Sequence, residues 1–269
     1  MTWVIGTPIT FGYSLLIGDI RVTMPEGKTF DGVRKVAGIC NGLLGGFAGN
    51  IFQGLAIMEH FAAVAKLPDG HAWLPEHLIE KCPPIMRKIY EDTERLVKKE
   101  YAGVQIMLAG IHPTANVPKD TSWPLPYCYI FRSPYFVPEE VPRGTVQSIG
   151  SGSAVEEYVS ELENLSDFKR VMGLMKFEAG DPGGFGKILS HIIGGVAGRQ
   201  LVPGISPHLH ICMVSRNEMN ERTNDRVHFG ANQEEIKFSM PPVAHSWEEF
   251  QSMTKEMGFA SDELKAFIG

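Results

Sequence analysis

Short apolar runs separated by glycine-containing turns are the feature that most restricts how this chain can fold. Four such runs occur in the first fifty residues: 3–6, 13–19, 33–39 and 42–49. Gly12 ends the turn between the first two runs, and Asn41-Gly42 lies between the other two. Pairs of short apolar runs with a tight turn between them are typical of β-hairpins. The start of the chain therefore predicts antiparallel strands.

A helical pattern begins where the second hairpin ends. Between 50 and 66, apolar residues recur at steps of three and four, and Asn50 is suited to the N-cap position. This spacing predicts a helix packed on a sheet. A second helix is predicted from about 84 to 101, where Lys, Arg and Glu are frequent on the outer face.

The rest of the chain alternates between strand and helix patterns. Further strands are predicted at 104–110, 127–131, 146–149 and 209–215, and further helices at 150–162 and 184–196. Ser246 and Glu249 form a capping-box pattern, which predicts a helix near the end. This order favours the α+β class, with helices covering one or both faces of mainly antiparallel sheets. We interpret 1–269 as a single domain with a Pro-rich excursion at about 112–142 and a C-terminal extension at about 217–269.

Charge and cysteine content exclude several classes of function. The net charge is −6 and the isoelectric point is about 5.9, so we expect no broad basic surface for nucleic acid or anionic membranes. The four cysteines lie more than forty residues apart without a CxxC pair, which is typical of a reducing compartment. No signal-peptide pattern and no apolar run of ~18 residues is present. We therefore expect a cytoplasmic protein whose partners are proteins or small molecules.

The second residue offers a nucleophile with its own base. Thr2 directly follows Met1, so removal of Met1 would leave a free α-amine beside a hydroxyl group. An α-amine has a pKa of about 7.7–8.0, whereas a lysine amine has about 10.4, so the α-amine can accept the hydroxyl proton near neutral pH. Thr2 is therefore a candidate catalytic nucleophile.

Other segments of the chain fit an N-terminal nucleophile. Lys35 follows Asp19 by sixteen residues, and the glycine-rich segments 46–50 and 149–153 read GFAGN and IGSGS. Together with Thr2, this pattern resembles the proteasome β-type N-terminal-nucleophile hydrolases. It is most similar to their bacterial HslV-type branch, in which the two segments read GFAGG and IGSGG.

This resemblance carries expectations about fold and assembly. It covers about 2–66 and 144–164, and beyond these segments it rests on the order of the elements. It implies a four-layer αββα sandwich, in which two stacked antiparallel sheets are flanked by helices. It implies a threonine-type peptidase subunit that associates with itself into stacked rings and hydrolyses peptide or protein substrates. Such catalysis needs no metal and no organic cofactor, and an ATP-dependent unfoldase would be a compatible partner.

The resemblance also implies roles for residues around the nucleophile. Thr2 would supply the attacking hydroxyl and, through its α-amine, the base. Lys35, paired with Asp19, would lower the pKa of the nucleophile through its positive charge. Ser151 would hydrogen-bond the amine and help to relay protons.

A second group of residues would contact the substrate. The backbone N–H of Gly46 would donate to the oxyanion of the tetrahedral intermediate, while Thr23 and Gly49 would contact the extended substrate. The family also places an Asp shortly before a Ser beside the amine. No Asp stands shortly before Ser206, so this carboxylate would have to come from elsewhere in the chain, such as Asp181.

Three alternative interpretations are compatible with these residues. One is a catalytically inactive ring-forming scaffold of the same fold, and another is an N-terminal-nucleophile amidohydrolase that acts on a small amide. A third is a metal site, because His208 and His210 lie on one face of a predicted strand and His191 and His228 could complete a ligand set. The usual spacing of a third, acidic ligand is missing, so packing or surface roles are favoured for these histidines.

Overall fold

The structure of the protein is a computed structural model. It describes residues 2–9, 12–24, 27–68, 71, 73–116, 119, 123–165, 204–216, 218–224, 226–229, 234–259 and 264. In chain order the strands are β1 (Val4–Ile9), β2 (Tyr13–Asp19), β3 (Arg21–Thr23), β4 (Thr29–Asp31), β5 (Val36–Cys40), β6 (Leu43–Gly49), β7 (Val104–Asn116), β8 (Pro124–Arg132), β9 (Glu139–Glu140), β10 (Gln147–Ile149), β11 (Leu209–Val214), β12 (Met219–Thr223), β13 (Arg226–Phe229) and β14 (Glu234–Lys237). The helices are α1 (Ile51–Val64), α2 (Pro75–Glu94), α3 (Glu156–Leu165) and α4 (Trp247–Glu256), and short 3-10 turns span Lys99–Tyr101 and Ser151–Ala154.

Two antiparallel sheets of five strands each dominate the described part of the chain. The first sheet has the order β10-β1-β2-β11-β12, and the second has the order β5-β6-β7-β8-β9. Two smaller antiparallel pairs, β3 with β4 and β13 with β14, accompany them. Antiparallel sheets combined with helices confirm the predicted α+β class.

Both predicted hairpins are present, and the first is longer than predicted. β1 pairs with β2 from Val4 opposite Gly18 to Ile9 opposite Tyr13, so Pro8 lies in a strand and not in the turn. On its other side β1 pairs with β10 only from Val4 to Gly6. Pro8 lies beyond this ladder, where its carbonyl accepts a hydrogen bond from the backbone N–H of Gly144 at 2.9 Å. A proline is tolerated there because no ladder hydrogen bond requires its missing N–H.

The first helix begins and is capped as predicted. The side chain of Asn50 accepts a hydrogen bond from the backbone N–H of Gln53 at 3.1 Å, which satisfies one of the free donors of the first turn. The predicted cap near the end of the chain is also present, because Ser246 Oγ accepts from the backbone N–H of Glu249 at 3.1 Å. The helix predicted at 184–196 lies outside the described residues.

The second helix is displaced from its predicted position. It spans Pro75–Glu94 and not 84–101, and Pro83 and Pro84 lie inside it. Pro75 stands in the first turn, where the missing N–H costs nothing. Leu78, Cys82, Met86 and Tyr90 are all buried and recur every four residues, so tertiary packing outweighs the helix-breaking tendency of the two internal prolines.

Part of the Pro-rich segment belongs to the core, because it contains β8. β7 and β8 pair between 105 and 132, and the side chains of Cys128 and Phe131 in β8 are fully buried. The ladder is regular up to Ile111, opposite Pro126, and is interrupted before Asn116. Pro113, Pro124 and Pro126 therefore stand where the pairing of β7 with β8 becomes irregular, which is where a strand tolerates them.

The buried apolar residues form three clusters. Side chains from both sheets meet between them, including Val4, Leu16, Val36, Met107 and Cys212. On the outer face of the second sheet, α1, α2 and α4 pack through residues that include Phe47, Leu55, Met86 and Phe250. On the outer face of the first sheet, Ile5 and Ile17 pack with Tyr158 and Leu162 of α3. Neighbouring strand residues thus face opposite clusters, as the pleat requires.

Candidate active site

Strand pairing brings Thr2 against the segment that follows β10. Val4 lies opposite Ile149 in an antiparallel pair, so the residues before Val4 run beside the residues after Ile149. The backbone N–H of Thr2 donates to Ser151 Oγ at 2.9 Å, and the N–H of Gly152 donates to the Thr2 carbonyl at 3.2 Å. Two residues that are 149 positions apart in sequence are therefore joined at the backbone nitrogen that would become the α-amine.

The close approach of these segments depends on a glycine. Gly150 has φ of 89°, a left-handed conformation that side chains rarely adopt. A Cβ atom at this position would lie only 2.3 Å from the carbonyl oxygen of Thr2. The N–H of Gly150 donates to Oε1 of Gln105 in β7 at 2.9 Å, which ties this turn to the second sheet.

Asp19 and Lys35 form a buried ion pair next to this segment. Their side chains are 0% and 1% exposed, and Lys35 Nζ lies 3.0 Å and 3.1 Å from the two carboxylate oxygens of Asp19. Lys35 Nζ also donates to the backbone carbonyl of Arg21 at 2.6 Å. Burial lowers the pKa of Lys35 below its ordinary value, while the charge and hydrogen bonds of Asp19 oppose that change.

The ion pair is linked to the N-terminal strand through the backbone. Asp19 accepts hydrogen bonds from the backbone N–H groups of Trp3 at 2.6 Å and Arg21 at 2.8 Å. Trp3 directly follows Thr2, so the carboxylate holds the chain one residue beyond the candidate nucleophile. Lys35 Nζ makes its hydrogen bonds within the described part of the chain to Asp19 and Arg21, and none of them goes to the Thr2 hydroxyl.

A cavity of about 530 Å³ opens beside Thr2. Four of the sequence-predicted residues border it: Thr2, Thr23, Gly49 and Ser151. The structure therefore brings together residues from β3, the end of β6 and the segments next to β1 and β10. Its remaining walls include the polar side chains of Gln105, Arg132 and Ser133, which sequence analysis missed. Nothing in the sequence marks these three residues, because only the strand register brings them to the cavity.

The two glycines of β6 that were expected to contact the substrate differ in position, because only one of them borders the cavity. Gly46 lies between Val36 of β5 and Met107 of β7, and a Cβ there would contact Val36 and Val4 in the core. Gly46 does not border the cavity. The pairing with β5 ends at Gly46, whereas Gly49 is paired on the β7 side and is exposed. Of these two glycines, only Gly49 borders the cavity.

Ser206 belongs to a separate polar cluster. Its hydroxyl donates to Asp31 at 2.6 Å, and Asp31 also pairs with the guanidinium of Arg21 at 2.8 Å and lies 2.8 Å from Nδ1 of His208. Burial alone would raise the pKa of Asp31, but the hydrogen bonds from His208, Arg21 and Ser206 hold that pKa well below its usual range. The hydroxyl group of Ser206 is therefore engaged in a hydrogen bond to Asp31.

The histidines do not form a common site in the described part of the chain. His208 contacts Asp31, whereas His210 is buried in β11 and burial lowers its pKa to about 4. No group of three or more His, Cys, Asp or Glu side chains among the described residues is arranged to hold a metal ion. His191, Asp181 and the side chain of His228 lie outside the described residues.

The chain matches no protein-family model and no curated protein sequence. None of the helices among the described residues is long and apolar enough to cross a membrane.

Proposed function

We propose that this protein is a proteasome-like threonine peptidase subunit in which Thr2, exposed by removal of Met1, is the nucleophile. The observation that carries the proposal is the hydrogen bond between the Thr2 nitrogen and Ser151 Oγ at the wall of the cavity. A hydroxyl nucleophile needs a base beside it and space for an acyl group in front of it. Thr2 has both once its nitrogen is free.

The chemistry follows from the groups around Thr2. Its hydroxyl oxygen attacks the carbonyl carbon of a peptide bond while the α-amine takes the hydroxyl proton, with Ser151 within hydrogen-bond reach of that amine. The proton then passes to the departing amine of the substrate as the C–N bond breaks, which leaves an ester on Thr2. Water hydrolyses the ester and restores the hydroxyl group. We assign the backbone contact of β6 with the substrate to Gly49, because Gly46 lies away from the cavity.

The buried ion pair supports the same site. Lys35 places a positive charge next to the strand that carries Thr2, and Asp19 keeps that charge in place despite complete burial. A nearby positive charge favours the ionised form of a nucleophile and stabilises negative charge that develops on the substrate.

The finer description of the fold is part of this proposal. We infer the four-layer αββα arrangement of the N-terminal-nucleophile hydrolases, in which α1 and α2 cover the second sheet and α3 covers the first. Support comes from the three apolar clusters, one between the sheets and one on each outer face. Assembly into stacked rings, with a peptide or protein as substrate and an ATP-dependent unfoldase as partner, is inferred from the resemblance alone.

One observation favours an inactive scaffold of the same fold as the second candidate. A lysine ammonium has three donors, and those of Lys35 can all be satisfied by the two oxygens of Asp19 and the carbonyl of Arg21. None of these hydrogen bonds goes to the Thr2 hydroxyl. In a scaffold, Lys35 would serve only to hold Asp19 and the backbone of β3.

The test combines intact mass with covalent labelling. The protein is purified from its native host and treated with a peptide epoxyketone, which captures a hydroxyl and an α-amine on one residue. We expect loss of Met1 and one adduct at Thr2, with peptide hydrolysis reduced at least ~10³-fold in Thr2→Ala and retained in part in Thr2→Ser. Retained Met1 without an adduct would favour the scaffold, and full activity of Thr2→Ala would refute the nucleophile.

A further inference from the structure

One side chain on the cavity wall has a fixed orientation and an unused donor group. Gln105 borders the cavity from β7, and its Oε1 accepts the hydrogen bond from the backbone N–H of Gly150. Because a backbone N–H can only donate, the oxygen of the amide must face Gly150 and the NH₂ group must point elsewhere. The orientation of this amide is therefore determined by its partner.

The NH₂ group of Gln105 is available to a bound molecule. It has no acceptor among the described residues, and it is not one of the buried polar atoms that lack a partner, so it remains accessible. Gln53 in α1 provides a contrast. Its Oε1 also accepts a backbone N–H, from Gly103, but its Nε2 is buried without a partner. Of these two similarly anchored amides, only Gln105 borders the cavity and keeps an accessible NH₂ group.

We propose that Gln105 binds the substrate of the cavity by donating a hydrogen bond from Nε2 to a carbonyl oxygen of a peptide segment. This inference rests on the proposed function for the identity of the substrate, and on the geometry of Gln105 for the contact. A peptide carbonyl is an acceptor that an amide NH₂ group can bind, and the fixed side chain loses little freedom when it does so. Gln105 also holds the Gly150 turn that contacts Thr2, so it positions the substrate relative to the nucleophile.

Two substitutions of Gln105 distinguish the effect of its NH₂ donor from the effect of the oxygen that accepts from Gly150. Gln105→Glu keeps an oxygen that can accept from Gly150 but removes the NH₂ donor. Gln105→Met has a similar length and removes both groups. Gln147→Glu makes the same chemical change on an exposed side chain of β10 that does not border the cavity, and it serves as the matched control.

The experiment measures equilibrium binding of a fluorescein-labelled, N-acetylated tripeptide amide by fluorescence anisotropy, in protein that carries Thr2→Ala so that no hydrolysis occurs. Loss of one neutral hydrogen bond should weaken binding about three- to tenfold in Gln105→Glu and at least as much in Gln105→Met. Gln147→Glu should bind as the parent does. Binding by Gln105→Glu as tight as the parent, or no binding of the tripeptide by the parent, would overturn the proposal.

The outcome is distinguishable from failure of the proposed function, which the epoxyketone adduct at Thr2 tests independently. If no adduct forms but binding depends on Gln105, the peptidase proposal is refuted and the role of Gln105 in binding is supported. If Thr2 forms an adduct but binding does not depend on Gln105, the peptidase proposal is supported and the role of Gln105 is refuted.

Discussion

Removal of Lys35 tests the buried ion pair without any assay of activity. In Lys35→Met the carboxylate of Asp19, which is 0% exposed, loses the ammonium group with which it is paired. Removing one partner of a buried pair costs about 3–5 kcal/mol, because the remaining charge is left without compensation. Asp19 still accepts from the backbone N–H groups of Trp3 and Arg21, so we expect a cost near 3 kcal/mol, the lower end of that range.

A second substitution shows whether the cost comes from the unpaired charge. Asp19→Asn alone leaves the ammonium of Lys35 buried with a neutral partner. The double variant Asp19→Asn/Lys35→Met removes both charges, so it should lose less stability than the sum of the two single variants, by about 2 kcal/mol or more. This difference measures the interaction between Asp19 and Lys35. Each single variant leaves one buried charge without its partner, whereas the double variant leaves neither charge.

The assay is urea unfolding at pH 7 and a fixed protein concentration, followed by two spectroscopic probes, since an assembly would make the midpoint depend on concentration. Lys88→Met is the matched control, because Lys88 pairs with Asp92 on the surface of α2, where the two side chains are 77% and 66% exposed. That variant should change stability by no more than about 0.5 kcal/mol. If Lys35→Met is no more costly than Lys88→Met, Lys35 does not hold a buried charge and the electrostatic argument for the site fails.

Two further predictions concern the glycine turn and the buried histidine. Gly150→Ala should lower stability by about 1–3 kcal/mol in urea unfolding and abolish the epoxyketone adduct, because its Cβ would lie 2.3 Å from the Thr2 carbonyl. Gly27→Ala has a similar positive φ but open space around it, so it should lose less stability and keep the adduct; equal losses would refute the clash. His210 has a pKa near 4 in the folded protein and about 6.5 when unfolded, so its contribution to stability is complete above pH 6.5 and falls as the pH drops toward 4. Unfolding at pH 5 should therefore require about 2 kcal/mol less than at pH 7 through this group, and His210→Leu should remove that difference; an unchanged pH dependence would contradict it.

The elements that sequence analysis placed correctly are those with local causes. The hairpins depend on turns at Gly12 and Asn41-Gly42, and α1 depends on the cap at Asn50. These residues act on neighbours within a few positions, so their pattern can be recognised in one sequence. The position of α2 has a different cause. Its boundaries follow from which face packs against α1 and the sheet, and the prolines at 83 and 84 misled the prediction because they ordinarily favour a helix start.

The contacts around Thr2 required both local and long-range information. Thr2 and Ser151 were expected to meet from their resemblance to a known pattern, and the register of β1 with β10 gives that meeting a physical cause. Gln105 could not be found in this way. Its role depends on Gly150 lying across the gap between two sheets, and no local pattern in β7 distinguishes Gln105 from any other polar strand residue.

The two glycines of β6 mark the limit of what a motif can determine. Gly46 and Gly49 both lie in one glycine-rich segment, and either could allow a substrate to approach the backbone. The difference arises from β5, whose pairing with β6 ends at Gly46. Gly46 is therefore enclosed by strands on both sides, while no strand among the described residues pairs with Gly49 on the side that faces away from β7. The same residue type thus lies in the core at one position and borders the cavity at the other, and strand pairing decides which.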